Sequence, residues 1–264
     1  MAPAVPLPRY LGDHWLLTYP QDELSRCLYC RDDFERQERA WVRQFLTPGM
    51  VVLDVGANLG LYTCLAAKRV GPTGQVHAFE PVAGIFQRLR RNLELNRLPG
   101  VVSNRCCLAA SAGVRTITVC GGDRGAWSSL AAPGLDVRLS TEEVEATTLD
   151  GYVAAKGLTK VDLLKLDVEG AELEVLQGGA GLLSRDPRPL VLCEIEDVRA
   201  QAFGLLGRDT AAFLADRRYQ WHEFGGRPGA PELSPIPVLE AYPSGNYLGV
   251  PEERASLVTR WLGG

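Results

Sequence analysis

The sequence predicts a doubly wound α/β sandwich, in which helices cover both faces of a largely parallel sheet. Short apolar runs of strand length alternate along the chain with segments of helical spacing. The runs are rich in valine, leucine and isoleucine without polar alternation, as is typical of strands buried on both faces. The 264 residues, 46% of them hydrophobic, can form one large core. We therefore expect one main domain with additions.

The N-terminal part precedes this alternation. Residues 1–20 are rich in proline and aromatic residues and are expected to form an arm on the body. Residues 21–45 have broadly helical spacing, and Thr47-Pro48-Gly49 ends that helix. The predicted division is an N-terminal arm and helix, residues 1–46, followed by the α/β domain, residues 47–264. An amphipathic N-terminal helix could also mediate a homodimer.

The alternation itself begins with residues 50–55. A helix-like segment follows most of the apolar runs, and TITVC (116–120) is a hairpin candidate. The stretches 120–146 and 225–245 are rich in glycine, proline and serine, and we expect long loops there that shape a substrate site. The predicted strands are 50–55, 75–80, 101–108, 161–167, 190–195, 219–224 and 246–250.

Composition disfavours several classes of partner. The formal net charge of −4 gives no general attraction to nucleic acid or to anionic membranes. The chain has no run of eighteen apolar residues and no N-terminal signal-peptide pattern. We therefore expect a cytoplasmic protein that acts on a small molecule and binds neither nucleic acid nor membranes.

A glycine-rich segment, DVGANLG, follows the first predicted strand. In an open α/β sheet, ligands bind outside the carboxyl ends of the strands. Gly56 and Gly60 allow a sharp turn and close approach of the backbone to a ligand, and Asn58 tolerates a left-handed conformation. Asp54, Gly56, Asn58 and Gly60 are therefore predicted to form a cofactor loop.

Two acids indicate which cofactor this is. A dinucleotide site needs the spacing G-x-G-x-x-G, whereas the glycines here are spaced G-x-x-x-G, and Asp54 would repel a phosphate. An acid at that position suits a cationic ligand group. Glu80 ends the second strand, twenty residues after Gly60, where a carboxylate can accept both hydroxyls of a ribose. The pair predicts S-adenosylmethionine.

The catalytic candidates lie at later strands. Lys165 and Asp167 are two positions apart in one strand, and Asp167 at its end is predicted to face the crevice beside the reactive methyl as a base. Glu194 should lie across the crevice, where it contacts substrate or pairs with an arginine. His222 is an alternative base, and a satisfied, non-catalytic histidine is the other interpretation.

A metal ion is a further alternative. Asp167, Glu194, Glu196 and Asp197 could hold magnesium and acidify a substrate hydroxyl. The acids are expected on different faces of their elements, and we therefore predict no metal site.

Four motifs resemble those of the FkbM-type S-adenosylmethionine-dependent methyltransferases. They are VVLDVGANLGLYT, HAFEP, TTLDGYVAAKGLTKVDLLKLDVEGAELEVLQGG and LCEIE, in this order, within residues 51–195, with a weaker similarity in NYLGVP. The resemblance implies a class I methyltransferase fold, a Rossmann-like seven-stranded sheet with the last strand antiparallel. It also implies methylation of a hydroxyl on a sugar or natural-product scaffold. Cys107 and Leu108 occupy the positions that flank the adenine in such proteins.

Two alternatives stay open at this point. One is methylation of a nitrogen or carboxyl group of a small molecule or peptide. The other is a non-catalytic module that binds a nucleotide-like ligand. The identity of the acceptor is expected to depend on residues 1–45 and 225–245, which have no part in the resemblance.

Overall fold

In the computed structural model, the described residues are 6–19, 23–30, 34–120, 139–227 and 229–263. Most of the predicted loop 120–146 lies outside these ranges, since residues 121–138 are not among them. Within the described ranges, no helix combines the length and the apolar character needed to cross a membrane.

The N-terminal segment forms a hairpin and two helices. Strands β1 (Leu7–Tyr10) and β2 (Trp15–Thr18) pair antiparallel, and helices α1 (Glu23–Cys30) and α2 (Arg36–Phe45) follow. The prediction of one helix over 21–45 was therefore wrong. Glu35 has φ 46° and ψ 51°, a left-handed conformation that a right-handed helix cannot include.

The remaining elements begin at residue 51 and reproduce the predicted alternation. They are β3 (Val51–Val55), α3 (Leu61–Val70), β4 (Gln75–Phe79), α4 (Ala83–Leu95), β5 (Val101–Asn104), β6 (Cys107–Leu108), β7 (Gly113–Cys120), β8 (Leu139–Thr147), α5 (Leu149–Ala155), β9 (Leu163–Leu166), α6 (Glu172–Gln177), β10 (Leu190–Ile195), α7 (Asp197–Ala200), α8 (Gly207–Ala215), β11 (Tyr219–Arg227), β12 (Ala230–Ile236) and β13 (Gly245–Pro251).

The main sheet has the strand order β12-β11-β13-β10-β9-β3-β4-β5. Neighbours from β10 to β5 are parallel, and β13 is antiparallel to both β10 and β11. This confirms the α/β class and the antiparallel last strand. Chain direction divides at β3, whose neighbours are β4 and β9, so a crevice is expected at the carboxyl end of β3.

The sheet has eight strands where seven were expected. The extra strand, β12, lies inside the stretch 225–245 that was predicted as a loop. It pairs antiparallel with β11, so that Trp221 is opposite Ile236 at one end of the ladder and Arg227 is opposite Ala230 at the other. Its residues alternate between buried and exposed, as in a strand with one covered face. Its two prolines are compatible with the edge position, where one row of N–H groups has no partner strand.

A second sheet with the order β6-β8-β7 lies next to the main one. The run 101–108, predicted as one strand, is divided into β5 and β6 and contributes to both sheets. The hairpin expected at 116–120 is present as β7, which pairs antiparallel with β8. The last part of the predicted loop 120–146 is thus a strand.

Helices cover both faces of the main sheet. Alternate residues of β3 point to opposite sides, so that Leu53 belongs to one large hydrophobic cluster and Val52 to another. The second cluster includes Trp41 and Phe45 of α2, whose rings stack at 4.8 Å. The apolar side of α2 is therefore buried within the chain and is not available to a second copy.

Candidate active site

A cavity of about 450 Å³ opens at the carboxyl ends of the parallel strands, and its size is typical of sites for small molecules. Residues from the N-terminal segment, the glycine loop, the second sheet and strands β9 and β10 form its wall. Seven of the ten predicted site residues line it: Gly56, Asn58, Glu80, Cys107, Leu108, Asp167 and Glu194.

The glycine loop packs against the chain that follows β9. Gly56 has φ +82°, and a Cβ there would lie 1.7 Å from the carbonyl oxygen of Asp167. Only glycine allows this approach, which brings the loop next to the catalytic candidate. Asn58 has φ 48°, the left-handed conformation that the sequence predicted. Its Oδ1 is buried and has no hydrogen-bond partner among the described residues.

Asp54 and Gly60 support the loop from outside the cavity wall. Asp54 is 1% exposed, and its Oδ2 accepts a hydrogen bond of 2.5 Å from the Thr63 hydroxyl. Burial raises its pKa, although the Lys165 ammonium opposes this shift. A Cβ on Gly60, at φ +89°, would lie 2.6 Å from Leu89 of α4. Direct contact of Asp54 or Gly60 with a cofactor stays a prediction.

Glu80 is hydrogen-bonded to the backbone of the glycine loop. Its Oε2 accepts a hydrogen bond from the Asn58 N–H at 3.1 Å, and its Oε1 accepts one from the Val82 N–H at 2.9 Å. Burial raises the pKa of Glu80 to about 7. Each oxygen of the carboxyl group retains a further lone pair, so Glu80 can still receive the hydroxyls of a ribose.

An apolar wall lies next to Glu80. Cys107 and Leu108 of β6 form part of it, and α4 and the second sheet supply further side chains. Contact of Cys107 and Leu108 with an adenine, which the resemblance implied, stays a prediction. Such a wall suits the faces of a flat heterocycle. The other apolar residues near this end of the cavity are Phe79, Val82, Ile85 and Ile117.

Asp167 follows β9 and is held by a lysine from the same strand. The Lys165 ammonium donates a hydrogen bond of 2.9 Å to Asp167 Oδ2. Burial acts to raise the pKa of Asp167, but this ion pair outweighs it and keeps the pKa below its ordinary value. Conversely, burial acts to lower the pKa of Lys165, and the nearby carboxyl groups raise it. Lys165 thus neutralises the charge of Asp167.

Glu194, at the end of β10, completes a carboxyl pair. Burial, followed by the negative charge of Asp167, raises the pKa of Glu194 well above its ordinary value. The two side chains hydrogen-bond to each other, with the protonated Glu194 as donor and the ionised Asp167 as acceptor. The site thus has a proton-holding acid and an ionised acid at adjacent strand ends.

His222 does not join this pair. It lies within β11 and is 5% exposed, outside the cavity wall, and its Nδ1 lies 3.2 Å from the carbonyl oxygen of Gln220. Burial lowers its pKa. The ring thus has a hydrogen-bond partner within β11 and does not line the cavity, and its role as an alternative base stays a prediction.

The acids considered for magnesium are used in other ways. Asp197 accepts hydrogen bonds from the Gly207 and Tyr242 N–H groups. Glu196 pairs with Arg199 at 3.3 Å. Within the ranges described, no group of three histidine, cysteine or acidic side chains has a geometry that could hold a metal ion.

The sequence placed the choice of acceptor within residues 1–45 and 225–245 but did not identify Glu35 as a site residue. Glu35 lines the cavity together with residues of α1, and Tyr62 of α3 lies beside it. Glu35 belongs to the charged run DDFERQER, which has the composition of a solvent-exposed helix face. The sequence contained no signal for its position, since a contact between residue 35 and strands more than 100 residues away depends on tertiary packing.

Comparison with known proteins agrees with this geometry. Residues 54–221 match the model of the Methyltransferase FkbM domain. The chain belongs to the FkbM methyltransferase family. The protein is thus an S-adenosylmethionine-dependent methyltransferase, as predicted, rather than a non-catalytic module.

Three FkbM-family relatives illustrate the range of similarity. The 31-O-demethyl-FK506 methyltransferase FkbM of Streptomyces tacrolimicus is 35% identical over 58% of this chain and 68% of its own length. Methyltransferase sdnD of Sordaria araneosa is 35% identical over 48% of this chain and 59% of its own length. The hexuronic acid methyltransferase AglP of Haloferax volcanii is 34% identical over 48% of this chain and 49% of its own length. The chain thus spans only about half to two thirds of these relatives.

S-adenosylmethionine fits the residues present in the cavity. Glu80 offers carboxylate oxygens for a ribose, and Cys107 and Leu108 lie in the apolar wall that would adjoin the adenine. The buried Asn58 Oδ1, which has no partner in the described part of the chain, is an acceptor for a ligand N–H or O–H group.

Proposed function

We propose that the protein methylates a hydroxyl group of a small molecule, a sugar or a natural-product scaffold. The observation that carries this proposal is the carboxyl pair of Asp167 and Glu194 in the cavity wall, because a hydroxyl acceptor must lose its proton during the reaction. The names of two relatives, which mention a demethylated oxygen of FK506 and a hexuronic acid, support the same class of acceptor.

Asp167 would orient the acceptor. Its pKa is held below the ordinary value despite burial, so it is ionised at neutral pH and can accept a hydrogen bond from a hydroxyl. S-adenosylmethionine supplies an electrophilic methyl group when bound. Because methyl transfer is an in-line displacement, fixing the hydroxyl oxygen in the correct line provides much of the acceleration.

Glu194 would hold the proton that the carboxyl pair carries at neutral pH. Its raised pKa means that it carries a proton at neutral pH, which it donates to Asp167. Once that proton has passed to solvent as pH rises, Glu194 is the stronger base of the two, since basicity rises with pKa. The hydroxyl proton then moves to Glu194 as the oxygen–methyl bond forms and the methyl–sulfur bond breaks.

Asp167→Asn tests this assignment. Transfer of a labelled methyl group to a panel of hydroxylated metabolites would first identify an acceptor for the unmodified protein. The variant should then reduce kcat by roughly 100-fold or more, while calorimetry should show little change in affinity for S-adenosylhomocysteine. Glu94→Gln, which removes one charge from the exposed surface of α4, is the control. An unchanged kcat in Asp167→Asn would remove Asp167 from catalysis.

Methylation of a nitrogen or carboxyl group is the second candidate. The excess of acidic over basic side chains in the cavity wall favours it, because an acidic wall attracts amines. A neutral amine or a carboxylate needs no base to remove a hydroxyl proton. Activity that survives the loss of both Asp167 and Glu194, with methyl on nitrogen or on a carboxyl group in the product, would support this candidate over O-methylation.

A further inference from the structure

Three polar side chains from different parts of the chain, those of Glu35, Tyr62 and Asn246, form one hydrogen-bonded group at the cavity. Tyr62 is 7% exposed, and both Tyr62 and Glu35 line the cavity. Asn246 Oδ1 is buried and has no hydrogen-bond partner among the described residues. Buried polar atoms are rarely left without partners, so this acceptor next to the cavity points to a ligand.

The three side chains are held in place by different elements. Asn246 Nδ2 donates a hydrogen bond of 2.8 Å to Glu35 Oε1, which leaves Asn246 Oδ1 as a free acceptor. Tyr62 belongs to the first turn of α3, and burial, followed by the Glu35 carboxyl group, raises its pKa well above the ordinary value. Its hydroxyl therefore keeps its proton, which it donates to Glu35, and its oxygen can still accept a hydrogen bond.

This group lies on the acceptor side of the cavity. Asn246 of β13 is directly opposite Glu194 of β10 in the strand ladder. The ionisation of Glu35 responds to the charges of Lys165 and Asp167, which places its carboxyl group near the pair proposed to hold the acceptor hydroxyl. The third member, Tyr62, belongs to the helix that follows β3 and the glycine loop, so the group also adjoins the cofactor loop.

The charge of the wall indicates what the ligand carries. The described lining residues include six carboxyl groups, those of Glu35, Glu80, Asp167, Glu169, Glu194 and Glu196, and only two basic side chains, those of Lys165 and Arg199. Burial is the largest cause that raises the pKa of Glu35 and that raises the pKa of Glu169 to about 8. A cationic ligand group nearby would favour the ionised form of these carboxyl groups.

We propose that Glu35, Tyr62 and Asn246 form a subsite for a protonated amine of the methyl acceptor. An ammonium group offers three N–H donors to Asn246 Oδ1 and to the remaining lone pairs of the Glu35 and Tyr62 oxygens, and it adds one positive charge to the acidic wall. The subsite rests on the proposed function, because the amine would be bound here while a hydroxyl of the same molecule lies beside Asp167. Glu35 is thus a specificity-determining residue from outside the matched family region.

Binding of a matched pair of probes to the protein loaded with S-adenosylhomocysteine tests the subsite without turnover. The probes are 2-amino-1-phenylethanol and 1-phenylethane-1,2-diol, which differ only by an ammonium in place of a hydroxyl. Calorimetry should show at least about tenfold tighter binding of the amine, and Glu35→Gln should remove this preference. Tyr62→Phe should reduce it. Glu240→Gln, the same charge change at a side chain that is 94% exposed, should leave it intact.

The other outcomes overturn the proposal. Absence of a preference for the amine in the unmodified protein, including no binding of the amine at all, excludes the subsite, as does a preference that persists in Glu35→Gln with unchanged thermal unfolding. If Glu35→Gln instead weakens binding of S-adenosylhomocysteine, the carboxyl group serves the aminoacyl end of the donor. A product methylated on nitrogen would contradict O-methylation but not the recognition of an ammonium group.

Discussion

The Lys165 ammonium lies 2.9 Å from Asp167 Oδ2 and 4.9 Å from the centre of the Tyr62 ring. It therefore connects the end of β9 to the helix that follows the glycine loop. Lys165 is 3% exposed, and the acids whose charges raise its pKa are Asp167, Glu35 and Asp54. One buried cation thus balances acids from the N-terminal segment, the cofactor loop and the catalytic strand.

Lys165→Met should destabilise the fold. The variant leaves the fully buried Asp54 and the adjacent Asp167 without their cation. Breaking a buried pair costs about 3–5 kcal/mol, and we expect about 3 kcal/mol in urea unfolding because the Asp167 side chain is 28% exposed. Arg208→Ala, which breaks the exposed pair with Glu240, should cost about 0–1 kcal/mol. Equal losses for the two variants would contradict a structural role for Lys165.

Gly56→Ala should prevent cofactor binding. Its new Cβ would overlap the Asp167 carbonyl oxygen, which belongs to the backbone and cannot move aside as a side chain can. We expect no detectable binding of S-adenosylhomocysteine in calorimetry and a lower melting temperature. Gly84→Ala is the matched control, because its Cβ would contact nothing within 4 Å and it lies in helix α4. That variant should gain about 0.5–1 kcal/mol. Normal cofactor affinity in Gly56→Ala would show that the loop moves away from β9.

Local sequence signals were sufficient to predict the central strands of the sheet and the backbone conformation of the glycine loop. Apolar runs predicted β3, β4, β9 and β10, because a strand buried on both faces needs little beyond its own composition. The positive φ angles of Gly56 and Asn58 were also predictable from local sequence, because glycine and asparagine adopt the left-handed conformation more readily than other residues.

The remaining features depend on long-range contacts. Strand β12 was missed because its two prolines and the glycines that precede it are typical of a loop, and only its pairing with β11 makes it a strand. The place of Glu35 in the cavity results from the packing of α2 against the sheet and from the hydrogen bond with Asn246, which is 211 residues away in sequence. His222 was a candidate by residue type alone, and its position within β11 places it outside the cavity wall.

Glu172→Gln should remove a pH-dependent loss of stability. Burial raises the pKa of Glu172 from 4.5 to about 7. An acid with a raised pKa holds its proton more tightly in the folded chain, so its stabilising effect is present at low pH. The free energy of unfolding should therefore fall as pH rises from about 4.5 to about 7 and stay lower above that, by up to about 3 kcal/mol.

Glutamine keeps the acceptor that this position needs. Glu172 Oε1 accepts hydrogen bonds from the N–H groups of Val168 and Gly170, and the amide oxygen of glutamine can do the same. Urea unfolding at pH values near 5 and 8 should show that Glu172→Gln is equal to the unmodified protein at the lower pH and more stable at the higher one. Glu174→Gln, on the same helix, controls for loss of one charge. A variant that is less stable at both pH values would mean that the ionised carboxylate is required.

Glu194→Gln should flatten the pH dependence of turnover. The pKa of Glu194 is raised well above its ordinary value, so the carboxyl pair loses its shared proton only as pH rises, and kcat should rise with it. Because the two acids are coupled, the midpoint of the rise belongs to the pair rather than to one residue.

Glutamine is the structural equivalent of the protonated acid, since its N–H group can donate to Asp167. The variant should therefore show the low-pH rate of the unmodified protein at every pH between about 6 and 9, measured as kcat at saturating S-adenosylmethionine. A profile that still rises in Glu194→Gln would assign the proton acceptor to another group, and Glu169, with a pKa of about 8, would be the next residue to substitute.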